Sequence, residues 1–373
     1  MRKISFSLIA AVLFLLGSQI SITTSSATAE GFKDVKSSDW FYSSVASLVQ
    51  RGIVNGFSDG TFKPKQTVTR AELIKMAVTA LKLDVAERKE GQSWYVPYVE
   101  AAKTAGVYTT KDFAAGWDKP ITRLETARIA VRAVDRSLRD AKDTELMYEA
   151  TKRGLITGVA NGELGKDESS TRAQAVVIID RVLQALAGQT LKMDKRAASY
   201  AEVELRGTNM ETMWGGKMND LPQKHSLYTS ITGTFEQILI IDLEDSESPY
   251  RSWATTVKKI NGVETNKDYL VAFKIVLENT KVTPKGFFYF NNLASAPHFM
   301  DAYIPLNKEK PSPFGQKKYI LQDTLNKITT WDLQVISKDK LSDFKKSNMA
   351  LLYFTLTNGK DIDLAPKGKI FGK

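Results

Sequence analysis

Three arginines carry the clearest chemical signal in the sequence. Arg70, Arg123 and Arg172 lie in the blocks Thr69-Arg70-Ala71-Glu72, Thr122-Arg123-Leu124-Glu125 and Thr171-Arg172-Ala173-Gln174. In each block the threonine hydroxyl can accept the backbone N–H three residues on, and the Glu or Gln side chain can reach back. That is a capping box, which opens a helix, so each arginine sits at a first helical position. Free N–H groups and partial positive charge at a helix start favour anions. A guanidinium there adds a fork that matches a carboxylate in bidentate fashion. The chemistry expected is recognition of an anion. A helix-start arginine is equally served by solvent or by a neighbouring Asp or Glu, so the residues alone leave both readings open.

Other chemical patterns do not hold up. Gly56-Phe57-Ser58-Asp59-Gly60 fits G-x-S-x-G, but a nucleophile elbow needs a strand before the serine and a helix directly after it. Here a helix precedes and a loop follows. The chain has two histidines, His225 and His298, and no cysteine, which leaves no classical zinc set and no thiol chemistry. Asp242, Glu244, Asp245 and Glu247 lack the spacing and glycine of an EF-hand and read as a solvated strand end. The basic residues follow no nucleic-acid motif. Neither metal, cofactor nor nucleic acid is expected.

The elements that must position the arginines repeat along the chain. The arginines are spaced 53 and 49 residues apart. Each is preceded, at 18, 17 and 18 residues, by a glycine followed by two bulky residues: Gly52-Ile53-Val54, Gly106-Val107-Tyr108 and Gly154-Leu155-Ile156. Trp40 and Trp94 lie 12 residues before the first two glycines, and Lys142 holds that place in the third copy. Each copy reads as helix, loop, helix. Val45, Leu48 and Val49 make an apolar stripe. Gly52, and with it Gly106 and Gly154, stops the first helix by taking a left-handed conformation. Ile74, Ala77, Val78 and Leu81 then give the second helix one buried face.

These residues closely resemble the S-layer homology family. Phe32-Lys33-Asp34-Val35, Asp39-Trp40-Phe41, Gly52-Ile53-Val54-Asn55-Gly56, Asp59-Gly60-Thr61-Phe62-Lys63-Pro64 and Val68-Thr69-Arg70-Ala71-Glu72 follow its pattern. The likeness spans about 31–187. The second copy lacks the Phe-x-Asp-Val opening and has Thr110 where Gly56 stands. The third lacks the tryptophan and has Gln174 for the glutamate. The resemblance implies an all-α, pseudo-threefold helical bundle with grooves between repeats. It also implies non-covalent binding of secondary cell-wall polysaccharide, often bearing pyruvate ketals, with the motif arginine as the residue most associated with binding. Such a ketal displays one carboxylate on a sugar. Trp40 and Trp94, with Asp39 beside the first and Lys142 in the third copy, are then candidate ligand contacts alongside the arginines, since an aromatic offers a sugar a broad apolar face. Core packing is the competing role for both tryptophans. Arg70 and Arg123 are expected to matter most.

Composition agrees with an exported wall protein. The 373 residues are 43% hydrophobic and 25% charged, with a formal net charge of +10, which favours acidic partners. Arg2 and Lys3, the apolar run Ile4 to Leu16 and Ala27-Thr28-Ala29 describe a signal peptide over 1–29 rather than a membrane span. The lack of cysteine suits a Gram-positive exterior.

The expected domains are repeats over 30–85, 86–140 and 141–187, a linker or irregular stretch over 188–228, and a β-sandwich-like domain over 229–373. Phe235 to Leu243, Tyr269 to Leu277, Phe287 to Phe290, Thr330 to Ile336 and Ala350 to Leu356 read as strands, with Asn261-Gly262 and Asn358-Gly359 as tight turns. Trp214, Trp253, Phe287, Phe288, Tyr289 and Trp331 could line a sugar groove, with core packing the stronger reading. The last domain has only a faint likeness to immunoglobulin-like domains. The chain as a whole reads as a non-enzymatic wall anchor that displays this domain. The alternatives are a wall-attached carbohydrate-active enzyme or an S-layer lattice subunit.

Overall fold

The computed structural model describes residues 31–216, 218–284, 287–288, 294–295, 299–347, 353–355 and 361–365. The expected signal peptide lies outside these residues, as do Tyr289, His298 and the Asn358-Gly359 turn. The helical half runs α1 (Tyr42–Gln50), α2 (Arg70–Ala80), α3 (Val96–Thr104), α4 (Arg123–Val134), α5 (Asp143–Lys152) and α6 (Arg172–Leu186). The helix pairs match the three copies read from the sequence.

Each first helix ends as its glycine predicts. Gly52, Gly106 and Gly154 have φ of 65°, 73° and 69°. The following N–H turns back to the helix in all three: Ile53 to Leu48 at 2.9 Å, Val107 to Ala102 at 3.0 Å and Leu155 to Ala150 at 2.9 Å. This is the Schellman closure, which satisfies carbonyls that the helix end leaves open. All three capping boxes are complete, including the one that uses Gln174.

The three copies close on one another through short backbone contacts just before the second helices. The Val68 N–H donates to Ser170 C=O (3.0 Å), Ser170 N–H to Ile121 C=O (2.9 Å), and Ile121 N–H to Val68 C=O (2.8 Å). Three segments thus form a closed ring of hydrogen bonds. Around it a single apolar core gathers residues from every helix, from Val45 and Leu48 to Ile178 and Val182.

The departures among copies have local reasons. A Cβ at Gly56 would lie 2.1 Å from the Phe32 ring, and the Asp34 carboxylate accepts the N–H groups of Phe62 and Lys63 at 2.7 and 2.9 Å. The Phe-x-Asp-Val opening therefore folds over the first loop and demands a glycine there. The second copy has no such opening, so Thr110 is tolerated.

The stretch 188–228 is not simply a linker. It carries α7 (Lys195–Arg206) and α8 (Met210–Trp214), then strand β1 (Gln223–Ser226). Asp194 caps α7 by accepting the N–H groups of Arg196 and Ala197. Ala197 and Ala201 enter the repeat core, so α7 extends the helical half. The cap and the alanine face at i, i+4 were the available signals.

The C-terminal half continues with β2 (Ile231–Asp242), β3 (Val257–Lys259), β4 (Glu264–Thr265), β5 (Tyr269–Asn279), β6 (Phe287–Phe288), β7 (Ala294–Ser295), β8 (Met300–Tyr303), β9 (Ile320–Leu321), β10 (Asn326–Ile336), α9 (Lys338–Ser347), β11 (Tyr353–Thr355) and β12 (Asp361–Asp363). Seven strands form one antiparallel sheet in the order β1-β2-β5-β10-β8-β3-β4. Its central strands are buried on both faces, which explains their unbroken apolar runs. Ile238, Ile240, Val271, Phe273 and Ile275 face one core, together with Met210 and Trp214 of α8, Leu341 and Phe344 of α9, and Ile362 of β12. Leu239, Ile241, Leu270, Ala272, Leu333 and Val335 face the other. Much of the first face is covered by helices, so the described part differs from a sandwich of two equal sheets.

Candidate functional site

The sequence pointed to free N–H groups at three helix starts. The structure corrects this. The Arg70 N–H donates to Lys119 C=O (3.0 Å), Arg123 N–H to Glu168 C=O (2.9 Å) and Arg172 N–H to Gln66 C=O (2.8 Å). The next N–H groups, of Ala71, Leu124 and Ala173, are taken by Trp117, Lys166 and Pro64 carbonyls. The third is taken by the capping threonine. Ring closure consumes the helix-start donors, so anion binding falls to the side chains.

The arginine side chains are not equivalent. Arg70 grips Glu125 with both prongs, Nη2 to Oε1 at 2.5 Å and Nε to Oε2 at 3.2 Å. Its Nη1 donates to Ala115 C=O at 2.9 Å, and the guanidinium covers the Phe113 ring. Glu125 is the capping-box glutamate of the next copy. The carboxylate that the fork predicted is thus supplied by the protein itself. Beside it, Lys142 lies in a cleft of about 490 Å³. Two other cations of the cleft are engaged: Arg128 holds Asp143 at 2.7 and 2.8 Å, and Arg132 holds Asp112 at 2.5 Å.

Arg172 donates to the Phe62 and Asn55 carbonyls at 2.9 and 3.1 Å and stacks on Phe57 and Phe62. Burial pulls its guanidinium below the ordinary range, while Glu72, again the capping-box acid of the next copy, opposes that shift. Trp94 is exposed and has the Lys75 ammonium 5.8 Å from its ring.

The same offset places Gln174, a neutral amide, opposite Arg123. Arg123 is 4% exposed, and its polar partners are the Leu164 carbonyl at 3.0 Å and the Thr157 carbonyl at 2.6 Å. Burial lowers its pKa, with only the exposed Glu168 acting against that through space. Arg123, Gln174, Trp40, Thr157, Gly158 and Arg181 line a cleft of about 340 Å³ that has no carboxylate in its wall. Arg181 makes no hydrogen bond or ion pair among the described residues, and burial lowers its pKa too. Trp40, in the wall, is 65% exposed. Arg123, buried, and Arg181, half-buried, make no ion pair among the described residues and stand beside a broad apolar ring, which suits a sugar bearing a carboxylate.

Asp39 does not join this site: its carboxylate accepts the Lys36 N–H at 2.7 Å and fixes the turn before α1. Arg181 escaped the sequence reading because it stands nine residues after the motif arginine, on a helix face that reads as apolar. Among the described residues no group of His, Asp and Glu is arranged to hold a metal. No described helix is long and apolar enough to cross a membrane.

Residues 31–74 match the S-layer homology domain, so the chain carries such a domain there. It is 27% identical to the surface-layer 125 kDa protein of Lysinibacillus sphaericus, over 90% of this chain and 34% of that protein. It is 26% identical to an endoglucanase of Bacillus sp. (strain KSM-635), over 52% of this chain and 24% of the enzyme. It is 24% identical to an S-layer protein of Bacillus thuringiensis subsp. finitimus, over 48% of this chain and 25% of that protein. The chain spans about a third or less of the length of these relatives. The shared domain places the protein at the cell surface, in association with the wall.

Proposed function

We propose that this exported protein is held at the cell wall by a non-covalent grip on an acidic secondary wall polysaccharide. Its three helix-loop-helix copies act as three S-layer homology repeats, and one groove carries most of the grip. The observation that supports this is that Arg123 and Arg181, neither in an ion pair among the described residues, line one cleft with Gln174 and the exposed Trp40. A carboxylate on the polymer, such as a pyruvate ketal, supplies the missing charge, and Trp40 packs on the sugar ring.

The C-terminal half contributes no chemistry in this reading and is a structural or displayed unit. That surface-layer relative aligns along nine-tenths of this chain, which favours a second role as a subunit of a surface layer.

The test is co-sedimentation of the mature chain with purified wall sacculi. Arg123→Ala is expected to weaken binding about tenfold or more, as loss of a charge-assisted contact does. Arg70→Ala is expected to act mainly on stability. Unchanged binding to sacculi stripped of the polysaccharide refutes the proposal.

A further inference from the structure

We infer that the groove does not end at the repeats. It continues past Arg181 into a second cleft, at the joint between the third copy and the C-terminal half, that takes the next anionic unit of the same polymer. The inference rests on the reading of the first groove given above. The two clefts share Thr157, Val159 and Arg181 as wall residues, so they are one continuous depression with Arg181 at the junction. The second cleft measures about 730 Å³. Each part is of ligand size, roughly 300 Å³ or more, and together they exceed what one sugar needs.

The charges in the second cleft are arranged unevenly. Its acids are already engaged. Asp194 accepts the N–H groups of Gly158, Arg196 and Ala197. Glu247 is bound by Arg196 at 2.8 Å, and Asp245 accepts the Glu247 N–H. Lys192 and Lys195, also in the wall, have no hydrogen bond or ion pair from their ammonium groups among the described residues. Arg181 is surrounded by acids that are equally committed. Asp180 accepts from Ser44, Ser47 and Gln184, and Asp194 caps α7. A path thus leads from Arg123 through Arg181 to Lys192 and Lys195, four cations that make no ion pair among the described residues. A regular polymer with one carboxylate per repeat unit can meet cations in both clefts; a single charged sugar uses only the first cleft.

Side-chain contacts span the joint beside this path. A Cβ at Gly162 would meet the Arg196 side chain at 2.4 Å, and Arg196 reaches across to both the carbonyl and the carboxylate of Glu247. Third copy, α7 and the C-terminal half are therefore interlocked at the cleft.

The experiment is calorimetric titration of the mature chain with wall polysaccharide cut to one, two and three repeat units. The parent is expected to bind two units about tenfold more tightly than one. The double variant Lys192→Glu/Lys195→Glu is expected to lose that gain while binding one unit as the parent does, since reversing two exposed charges removes about that much. The same charge change at the exposed Lys308 and Lys310 controls for long-range attraction. If two units bind the parent no more tightly than one, or if both double variants lose the same affinity, the second cleft is refuted and the first groove stands. If Arg123→Ala binds every length as the parent does, the first groove is refuted as well.

Discussion

Gln174→Glu changes one atom type and separates the anion-binding reading from a structural one. In the second copy, Glu125 caps its helix and at the same time neutralises Arg70 through two charge-assisted bonds. In the third copy, Gln174 caps equally well, accepting the Thr171 N–H at 2.9 Å, but carries no charge for Arg123. A glutamate at 174 is expected to keep the cap and form the missing internal pair. The fold should therefore stay as stable as the parent or gain slightly, while the cleft loses its surplus charge. A polymer carboxylate must then displace an internal one. Hydrogen bonds to charged groups contribute about 1.5–3 kcal/mol, so binding should weaken between about tenfold and somewhat over a hundredfold. The assay is titration with the sized polysaccharide, with a thermal melt as the stability control. Parent-like affinity with an undisturbed melt would refute the assignment of Arg123 as the anion ligand, because the variant leaves nothing else altered in the cleft.

Further outcomes follow from the same contacts. Glu125→Gln frees the Arg70 fork and is expected to raise the number of polysaccharide molecules bound per protein from one toward two, read by titration, with a loss of about 1–3 kcal/mol in stability from the broken pair. Asp112→Asn leaves Arg132 buried without its counter-charge and should cost about 3–5 kcal/mol in a denaturant titration. Gly154→Ala forces a side chain onto φ of 69° with a Cβ 2.8 Å from the Lys192 carbonyl. It should lower stability by more than the ~1 kcal/mol of an open left-handed site. Burial pushes the Glu202 carboxyl up from its ordinary 4.5, and the two α8 N–H groups it accepts only partly oppose this. The folded state therefore binds its proton more tightly than the unfolded chain. Stability from this group is full below pH 4.5 and falls as pH rises through the raised value. Glu202→Gln should flatten that part of a stability-against-pH curve.

What the sequence made legible was local. The capping boxes, the three stop glycines and the Asn261-Gly262 hairpin, with Gly262 at φ of 83° between β3 and β4, each depend on residues within a few positions. So does the run of central strands, although β2 begins at Ile231 and β10 at Asn326, earlier than their apolar stretches suggested. Amphipathic α9 escapes the sequence reading because its apolar signal is only Leu341 and Phe344 amid eight charged or polar neighbours. The site was legible by residue type and not by state. Arg70 and Arg123 look interchangeable in their motifs, and what separates them is the identity of a residue about fifty positions away, brought opposite by ring closure.

That distance suggests how a repeated scaffold comes to have unequal grooves. In a closed ring each copy's capping acid faces the arginine of the copy before it. A Glu at the capping position therefore serves two masters, helix and neighbour, and a groove stays neutral while both are kept. Exchanging Glu for Gln satisfies the helix and releases the neighbour, so one substitution opens a groove without weakening the fold. The eroded third copy is then the source of the open groove rather than a weaker version of the first. The near-complete motif around Arg70 marks the groove that the protein has closed on itself.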